Sequence, residues 1–546
     1  MSSQSTTAGS RVVEVRSRSA AWRTRVLDVW LLGILATHVV LAFLLFNPQP
    51  FTGGDNAHYM ILAESIGTGQ GYRDLHIVGA PLHAKYPPVY PATLAVVRSL
   101  GGGLLAFKTM SVAFTTASLA FLFFIGRRRF GRESALLVTG MAALNPVLLQ
   151  YSHWVLSEAM FVLFMLMALW AIERRDNDWR WVGLAMAAAV LSYLTRTAGL
   201  TLLLALLVSF GWRRRWMHLG AAGLVTAAAV GAWSRWVATA VASGAQGYGA
   251  DFLRINPYTS DQGLIGPGGL LVRVLLNAWT YVTKVLPGTL GGGIVGGGAF
   301  GVGASGIAAL ALIVGLLVLG SALVAWWRGI RHGRVPELFA LFYTGLILVW
   351  PPLWTDERLL LPLLPVLLLL SAAGVSRAFV LVHRKAPGWA LPVFASCLML
   401  LTVPVNVQRI SATGACRGEV WRGDELACYN PVWRNFVESA RWVRDRTPAD
   451  AVVVSRKPRL FYYFARRRTA PFPLLGEDGE KLAAFDSAGA DYVVVSATAP
   501  GSDVFLVPLI LRNPDRFSPL YETGAEPFTA HVMRYVGEKG TDPLRP

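Results

Sequence analysis

Apolar blocks long enough to cross a hydrocarbon core of roughly 30 Å recur along this chain up to about Val405, and each reads as an α-helical span. Eleven are expected, at 29–46, 104–125, 134–150, 153–172, 181–194, 197–212, 217–240, 307–327, 338–353, 359–382 and 389–405. The third, fifth and sixth are short for a full crossing. Only 15% of the 546 residues are charged, where a soluble domain carries about a quarter.

Arginine sets the orientation. The leader residues Arg11, Arg16, Arg18, Arg23 and Arg25, the turn RRRFGR, and the segments ERRDNDWR, RRRW, RGIRHGR and HRK fall in alternate gaps between spans. The positive-inside rule assigns those gaps to the cytoplasm, so the net charge of +18 is mostly topology. A nucleic-acid surface would interleave aromatics with the cations on a soluble face, and that class is rejected. The first span follows a basic leader without a small-residue cleavage site, as expected of a signal anchor. The expected organisation is a cytoplasmic basic tail at 1–26, a transmembrane domain at 27–405 with a large outer loop at 47–103, and an extracytoplasmic α/β domain at 406–546. That places the protein in the cell membrane as a multi-pass chain with its amino terminus inside.

The outer loop FTGGDNAHYMILAESIGTGQGYRDLHIVGAPLHAKYPPVYP holds the densest chemistry. Asp55 opens a helix on which His58, Tyr59, Leu62 and Ile66 share its face, with Glu64 opposite. A helix cap on a bilayer-lying segment is the plain role for Asp55, and catalysis is compatible with it. Lys85, before two prolines expected to hold the chain extended, can snorkel to headgroups or bind a lipid-linked phosphate. Tyr86 and Tyr90 suit an interfacial belt.

Glu158, about one and a half turns into a span, costs of order 3 kcal/mol to insert and is a functional candidate by default. Arg196 interrupts an apolar block at an outer hairpin turn, either as a charge partner for Glu158 or as a phosphate ligand. Arg358 begins a span on the same side beside Asp356 and Glu357, which read as solvated loop charges. In 243–306, an amphipathic stretch precedes a glycine run in which Gly293, Gly297 and Gly301 have the spacing of close helix packing. A mobile flap is the other reading. No Ser-His-Asp pattern, HExxH or Cys/His metal spacing is present.

Cys397 lies in an apolar span and reads as packing. Cys416 and Cys428 bracket a short polar loop at the start of the outer tail, where an oxidising exterior favours a local disulfide. The tail alternates helix and strand patterns: a helix at 431–447, strands at 451–455 and 491–496, a helix-like segment between them and a strand near 526–536. No glycine fingerprint for a nucleotide follows either of the first two strands.

In order along the chain, GGDNAHYMILAESIGTGQGY, KYPPVYP, LSEAMF, SYLTRTAGL and WTDERLLLPLLP resemble landmarks of GT-C polytopic glycosyltransferases. The likeness is to the bacterial branch related to protein O-mannosyltransferases and lipid A aminoarabinose transferases. It implies an α-helical membrane fold with an extracytoplasmic α/β domain, and a polyprenyl-phosphate sugar donor. It maps the loop aspartate near the catalytic centre to Asp55 and the lysine of the lipid phosphate to Lys85. Where the family often has a second acid after the aspartate this chain has Asn56, which weakens a two-carboxylate metal site there.

A phosphate leaving group needs no strong acid, only a base for the acceptor hydroxyl and cations for the phosphate. Asp55 is then the base, Lys85 and Arg196 the phosphate ligands with Arg358 beside them, and Glu158 an orienting or sugar-holding group. His58, Tyr59 and Tyr86 are further substrate-binding candidates. One base without a nucleophile implies inversion at the anomeric carbon. No cofactor is expected, and a divalent metal lacks a clear ligand set. The partners expected are the lipid-linked sugar, an extracytoplasmic acceptor (protein, glycolipid or cell-wall glycan) and the bilayer. A transporter or flippase of lipid-linked sugars, which would more often show repeats and broken midplane helices, and a non-catalytic assembly protein on the same scaffold are the alternatives.

Overall fold

The computed structural model describes residues 29–245, 247, 252–257, 259–291, 305–383, 387–474, 476–498 and 502–537. The basic leader and Gly293, Gly297 and Gly301 lie outside these residues. Ten helices run through the first part: α1 Val29–Leu44, α2 Asp55–Gly67, α3 Val89–Ser99, α4 Leu104–Phe130, α5 Arg132–Ala143, α6 Pro146–Ser152, α7 Glu158–Arg174, α8 Trp179–Thr195, α9 Leu200–Trp212 and α10 Trp216–Ala242. Among the described residues five helices are long and apolar enough to cross a membrane, or six if α5 and α6 form one span bent by 66°. The bend has a local cause. Asn145 accepts the backbone N–H groups of Val147 and Leu148, and Pro146 opens α6 without an N–H of its own, so a second helix start is written into the span. The shorter apolar helices, α1 and α9 among them, complete the bundle. This is a multi-pass membrane protein.

Three expectations change. The stretch 267–291 is apolar and helical enough to count as a candidate span, although its charges Arg273 and Lys284 gave it an amphipathic reading. The expected span at 153–172 begins as turns, and its helix starts only at Glu158, so that acid occupies a helix end rather than its interior. The boundary at 405/406 falls inside one continuous helix, Ala390–Trp421, whose polar second half extends the apolar first half.

The segments rich in arginine meet at one end. Arg129 pairs with Glu173 and Glu337, Arg213 and Arg215 pair with Asp176, and Ser209 bonds the Gly333 carbonyl. Close packing by small residues occurs between Ser305–Ile330 and Leu364–His383. A Cβ on Gly374 would stand 1.7 Å from the Ser321 carbonyl oxygen, so only glycine fits there.

At the other end sits the C-terminal domain. A hairpin, β1 Arg254–Asn256 and β2 Thr259–Leu264, precedes it in the chain. Its own sheet has the order β4-β3-β5-β7-β6, with β3 Val452–Val454, β4 Arg468–Ala470, β5 Tyr492–Ser496, β6 Phe517–Thr523 and β7 Ala530–Tyr535. β3 is parallel to β4 and β5, and β7 is antiparallel to β5 and β6. The amphipathic helix Pro431–Arg446 buries Phe436, Val437, Ala440 and Val443 against Phe461 and the sheet. Cys416 and Cys428 are joined in a disulfide, with Cα atoms 4.8 Å apart, between the membrane helix and this domain. The helix Pro458–Ala465 packs on α2. Two polar contacts reinforce that seam: Arg466 to Glu64, and the Thr469 N–H to the His76 carbonyl at 2.7 Å.

Candidate active site

α2 begins where Gly54, at φ 84°, turns the chain into a helix whose first residue is Asp55. The cap position belongs to Gly54, so Asp55 is the first helical residue and not the cap. Tyr86 donates its hydroxyl to Asp55 Oδ1 at 2.8 Å, and Arg358 donates Nη1 to Oδ2 at 2.6 Å. The helix does not lie on a bilayer surface. It is buried on nearly every side, between α3 and the C-terminal domain.

Arg358 sits in the short helix Glu357–Leu360, started by the Asp356 side chain capping the Leu359 N–H at 3.3 Å. Its Nε reaches Glu158 Oε1 while Nη1 holds Asp55. The same Glu158 oxygen takes Arg196 Nη1 at 2.5 Å, and that nitrogen also reaches Ser157 Oγ at 3.1 Å. Tyr59 closes the circuit, its hydroxyl 2.9 Å from Ser157 Oγ and its ring 4.7 Å from Tyr86. Two carboxylates from distant elements are therefore held together by one guanidinium, with a second guanidinium behind. Glu158 is 1% exposed. A buried acid of this kind persists only if paired, and it receives two arginines.

Burial by itself raises the Asp55 carboxyl, but the charges of Arg358 and Arg459 and the hydrogen bonds from Arg358 and Tyr86 overcome it. The group is held well below the ordinary carboxylate range. It is ionised at any physiological pH, held so by its cations. A divalent ion between the same two carboxylates would have to displace Arg358.

Of the sequence candidates, Asp55, Glu158, Arg196, Arg358, Tyr59 and Tyr86 converge. Tyr86 and Tyr90 are buried, not in an interfacial belt. Pro88 has αR torsions and leads directly into α3, so the KYPP segment is a helix start and not an extended run. Lys85 is half-buried with its ammonium 5.7 Å from the Trp354 ring centre. His58 pairs with Asp74, its Nε2 2.5 Å from Asp74 Oδ1. Burial lowers His76 to about 3, with the Arg459 charge adding to the effect, so it is neutral.

One contributor has no signal in the motifs. Arg459, from the C-terminal helix Pro458–Ala465, places Nη1 3.8 Å from Asp55 Oδ1. The C-terminal domain thus completes the electrostatic wall of the site.

Residues 85–236 match the family described as dolichyl-phosphate-mannose-protein mannosyltransferase. That stretch carries Lys85, Glu158 and Arg196, while Asp55 and Arg358 lie outside it. No curated protein matches the sequence. Among solved structures, ArnT from Cupriavidus metallidurans bound to undecaprenyl phosphate aligns with a TM-score of 0.52 at 14% identity, covering 92% of this chain and 98% of that one. Its apo state aligns at 0.53 and 13% identity, covering 93% and 98%. The archaeal oligosaccharyltransferase AglB from Archaeoglobus fulgidus, in complex with an inhibitory peptide and a dolichol-phosphate, aligns at 0.50 and 14%, covering 95% and 75%. The chain shares the overall fold of these two proteins. That fold accounts for the pairing of an apolar bundle with a C-terminal α/β domain seated over one end.

Proposed function

We propose that this protein is a membrane glycosyltransferase that moves a sugar from a polyprenyl-phosphate donor to a hydroxyl of an extracytoplasmic acceptor. The observation that carries it is the Asp55–Arg358–Glu158–Arg196 chain of charges, set at the bundle end opposite the arginine-rich turns and roofed by the C-terminal domain. The positive-inside rule makes that end extracytoplasmic. The undecaprenyl phosphate and dolichol-phosphate held by the structurally similar proteins support a lipid-phosphate donor.

In this reading the donor phosphate, arriving at membrane depth, competes with the two carboxylates for Arg358 and Arg196, and Lys85 adds a third cation. As the anomeric C–O bond breaks, its electron pair passes to the phosphate oxygen, where those cations stabilise it. The acceptor oxygen bonds to the anomeric carbon from the opposite face, inverting it. Its proton becomes acidic as that bond forms and passes to Asp55, freed by the movement of Arg358 onto phosphate, and then to water. A weak base suffices because proton loss follows bond formation in an oxocarbenium-like transition state. Glu158, sharing Arg196 with the phosphate, keeps that guanidinium oriented.

The test is direct: incubate the purified protein in lipid with a panel of polyprenyl-phosphate sugars and candidate acceptors, and read products by mass spectrometry. A new glycoside supports the reading. Movement of lipid-linked sugar across a vesicle membrane without any new glycosidic bond would favour a transporter instead.

A further inference from the structure

Behind Asp55, one turn along α2, lies a second polar cluster that the proposed transfer reaction does not use. His58, His76 and His83 are 2%, 3% and 1% exposed, and Asp74 is 9% exposed. Four such side chains in one buried nest demand a full proton and lone-pair account.

His83 is fully satisfied. Its Nε2 accepts the Tyr86 backbone N–H at 2.7 Å, so its proton sits on Nδ1, which donates to Asp74 Oδ1 and Oδ2 at 3.0 and 3.1 Å. That is the outer partner commonly found behind a metal-ligating carboxylate. The other two histidines are satisfied at most in part: His58 Nε2 lies 2.5 Å from Asp74 Oδ1. Nδ1 of His58 and Nδ1 of His76 are both buried without a hydrogen-bond partner. Yet one nitrogen from each and one oxygen of Asp74 lie within 4.8 Å of one another. Two imidazoles and a carboxylate at that separation need only a small closure to surround an ion at the ~2.0–2.2 Å typical of zinc.

We propose that His58, Asp74 and His76 bind one divalent transition-metal ion of the zinc class. Imidazole with a single carboxylate suits zinc or its neighbours, whereas calcium and magnesium require mainly oxygen ligands. The guanidinium of Arg459 stands near and opposes a cation; it is paired with Asp55 at 3.8 Å. The ion's place is structural. It joins α2, one turn past Asp55, to the loop before α3. Through the His76 carbonyl, which accepts the Thr469 N–H at 2.7 Å, it fastens that loop to β4 of the C-terminal domain. Through Asp74, His83 and Tyr86 the same network reaches the Asp55 carboxylate.

This inference stands apart from the glycosyl-transfer reading, and its test does not measure transfer. Full-length protein in lipid nanodiscs is stripped with chelator, desalted, loaded with zinc or cobalt(II), and desalted again. Expected are about one zinc per chain by elemental analysis, a tetrahedral cobalt(II) absorption spectrum, and a rise in melting temperature on adding zinc. His76→Gln and Asp74→Asn are expected to lose the cobalt bands and to weaken zinc binding by at least about tenfold. His531→Gln, in the sheet of the C-terminal domain, retains both. Failure of the wild type to hold either metal at micromolar concentration, which requires no variant to fold, overturns the proposal. An unchanged cobalt spectrum in His76→Gln overturns it as well.

Discussion

Replacing Arg358 by glutamine probes the junction on which the site depends. The guanidinium makes two charge-assisted hydrogen bonds, to Asp55 Oδ2 at 2.6 Å and to Glu158 Oε1. Its side chain is 20% exposed, against 26% for Asp55 and 1% for Glu158. Hydrogen bonds to charged groups contribute about 1.5–3 kcal/mol each, and stripping the partner from a buried charge costs about 3–5 kcal/mol. Glu158 keeps Arg196, and Asp55 keeps Tyr86 and the more distant Arg459, so neither acid is fully orphaned. A loss of about 2–4 kcal/mol is therefore expected, read as a lowered thermal midpoint in nanodiscs. The variant also changes the acid limb. In the wild type the depressed Asp55 carboxyl gives stabilisation that is complete above its ordinary value of 3.8 and is lost only as pH falls through its lower folded value. Without Arg358 the upward push of burial is less opposed, so the acid limb of stability and turnover moves toward neutral pH. Arg358→Lys retains charge without the planar fork and is expected to fall between. A midpoint change equivalent to less than about 0.5 kcal/mol, with an unmoved acid limb, would refute the bridging role.

Three further outcomes follow from packing. Gly374→Val drives a side chain into the Ser321 carbonyl and is expected to destabilise by about 1–3 kcal/mol or more, with Gly345→Val, which meets nothing within 4 Å, as the control in the same melt. Phe461→Ala removes a fully buried ring from the core joining the helices Pro431–Arg446 and Pro458–Ala465. It is expected to cost about 3–5 kcal/mol and to raise proteolysis of the C-terminal domain selectively. Cys428→Ser opens a short loop with a sequence separation of 12, a closure worth about 3 kcal/mol in the chain-entropy account. Peptide mapping under non-reducing conditions detects the link, and equal stability of both forms would count against its contribution.

The sequence made the bundle legible because lipid leaves long apolar helices as the economical solution. It flagged Glu158 and Arg196 because a charge near hydrocarbon needs a reason, and Asp55 because it opens a helix in a long polar outer loop. It undervalued Arg358. TDER looks like a solvated loop, and only the fold shows that Glu357–Leu360 points its arginine inward between two acids from elsewhere in the chain. Arg459 was illegible for a related reason, since its distance from Asp55 depends on how one domain sits on the other. His58, Asp74 and His76 match no metal spacing because a helix and an irregular loop meet there, and no periodicity encodes that meeting. In the tail, β3 and β5 announced themselves as runs of valine, whereas β4, Arg-Thr-Ala, has no apolar run and β6 carries Pro519 with mostly exposed side chains. Such edge strands take their conformation from a neighbour's hydrogen bonds more than from their own composition.

The proposed transfer separates the roles of Asp55 and Lys85. Donor binding and glycoside formation measured together on wild type, Asp55→Asn and Lys85→Ala test it most directly. Asp55→Asn is expected to bind the polyprenyl-phosphate sugar normally while turnover falls by about 10²–10⁴, the usual loss for a general base. Lys85→Ala is expected to weaken donor binding as well, because a phosphate in a poorly hydrated place loses a cation. An Asp55→Asn protein that forms glycoside at the wild-type rate, together with a Lys85→Ala protein that binds donor normally, would contradict the account.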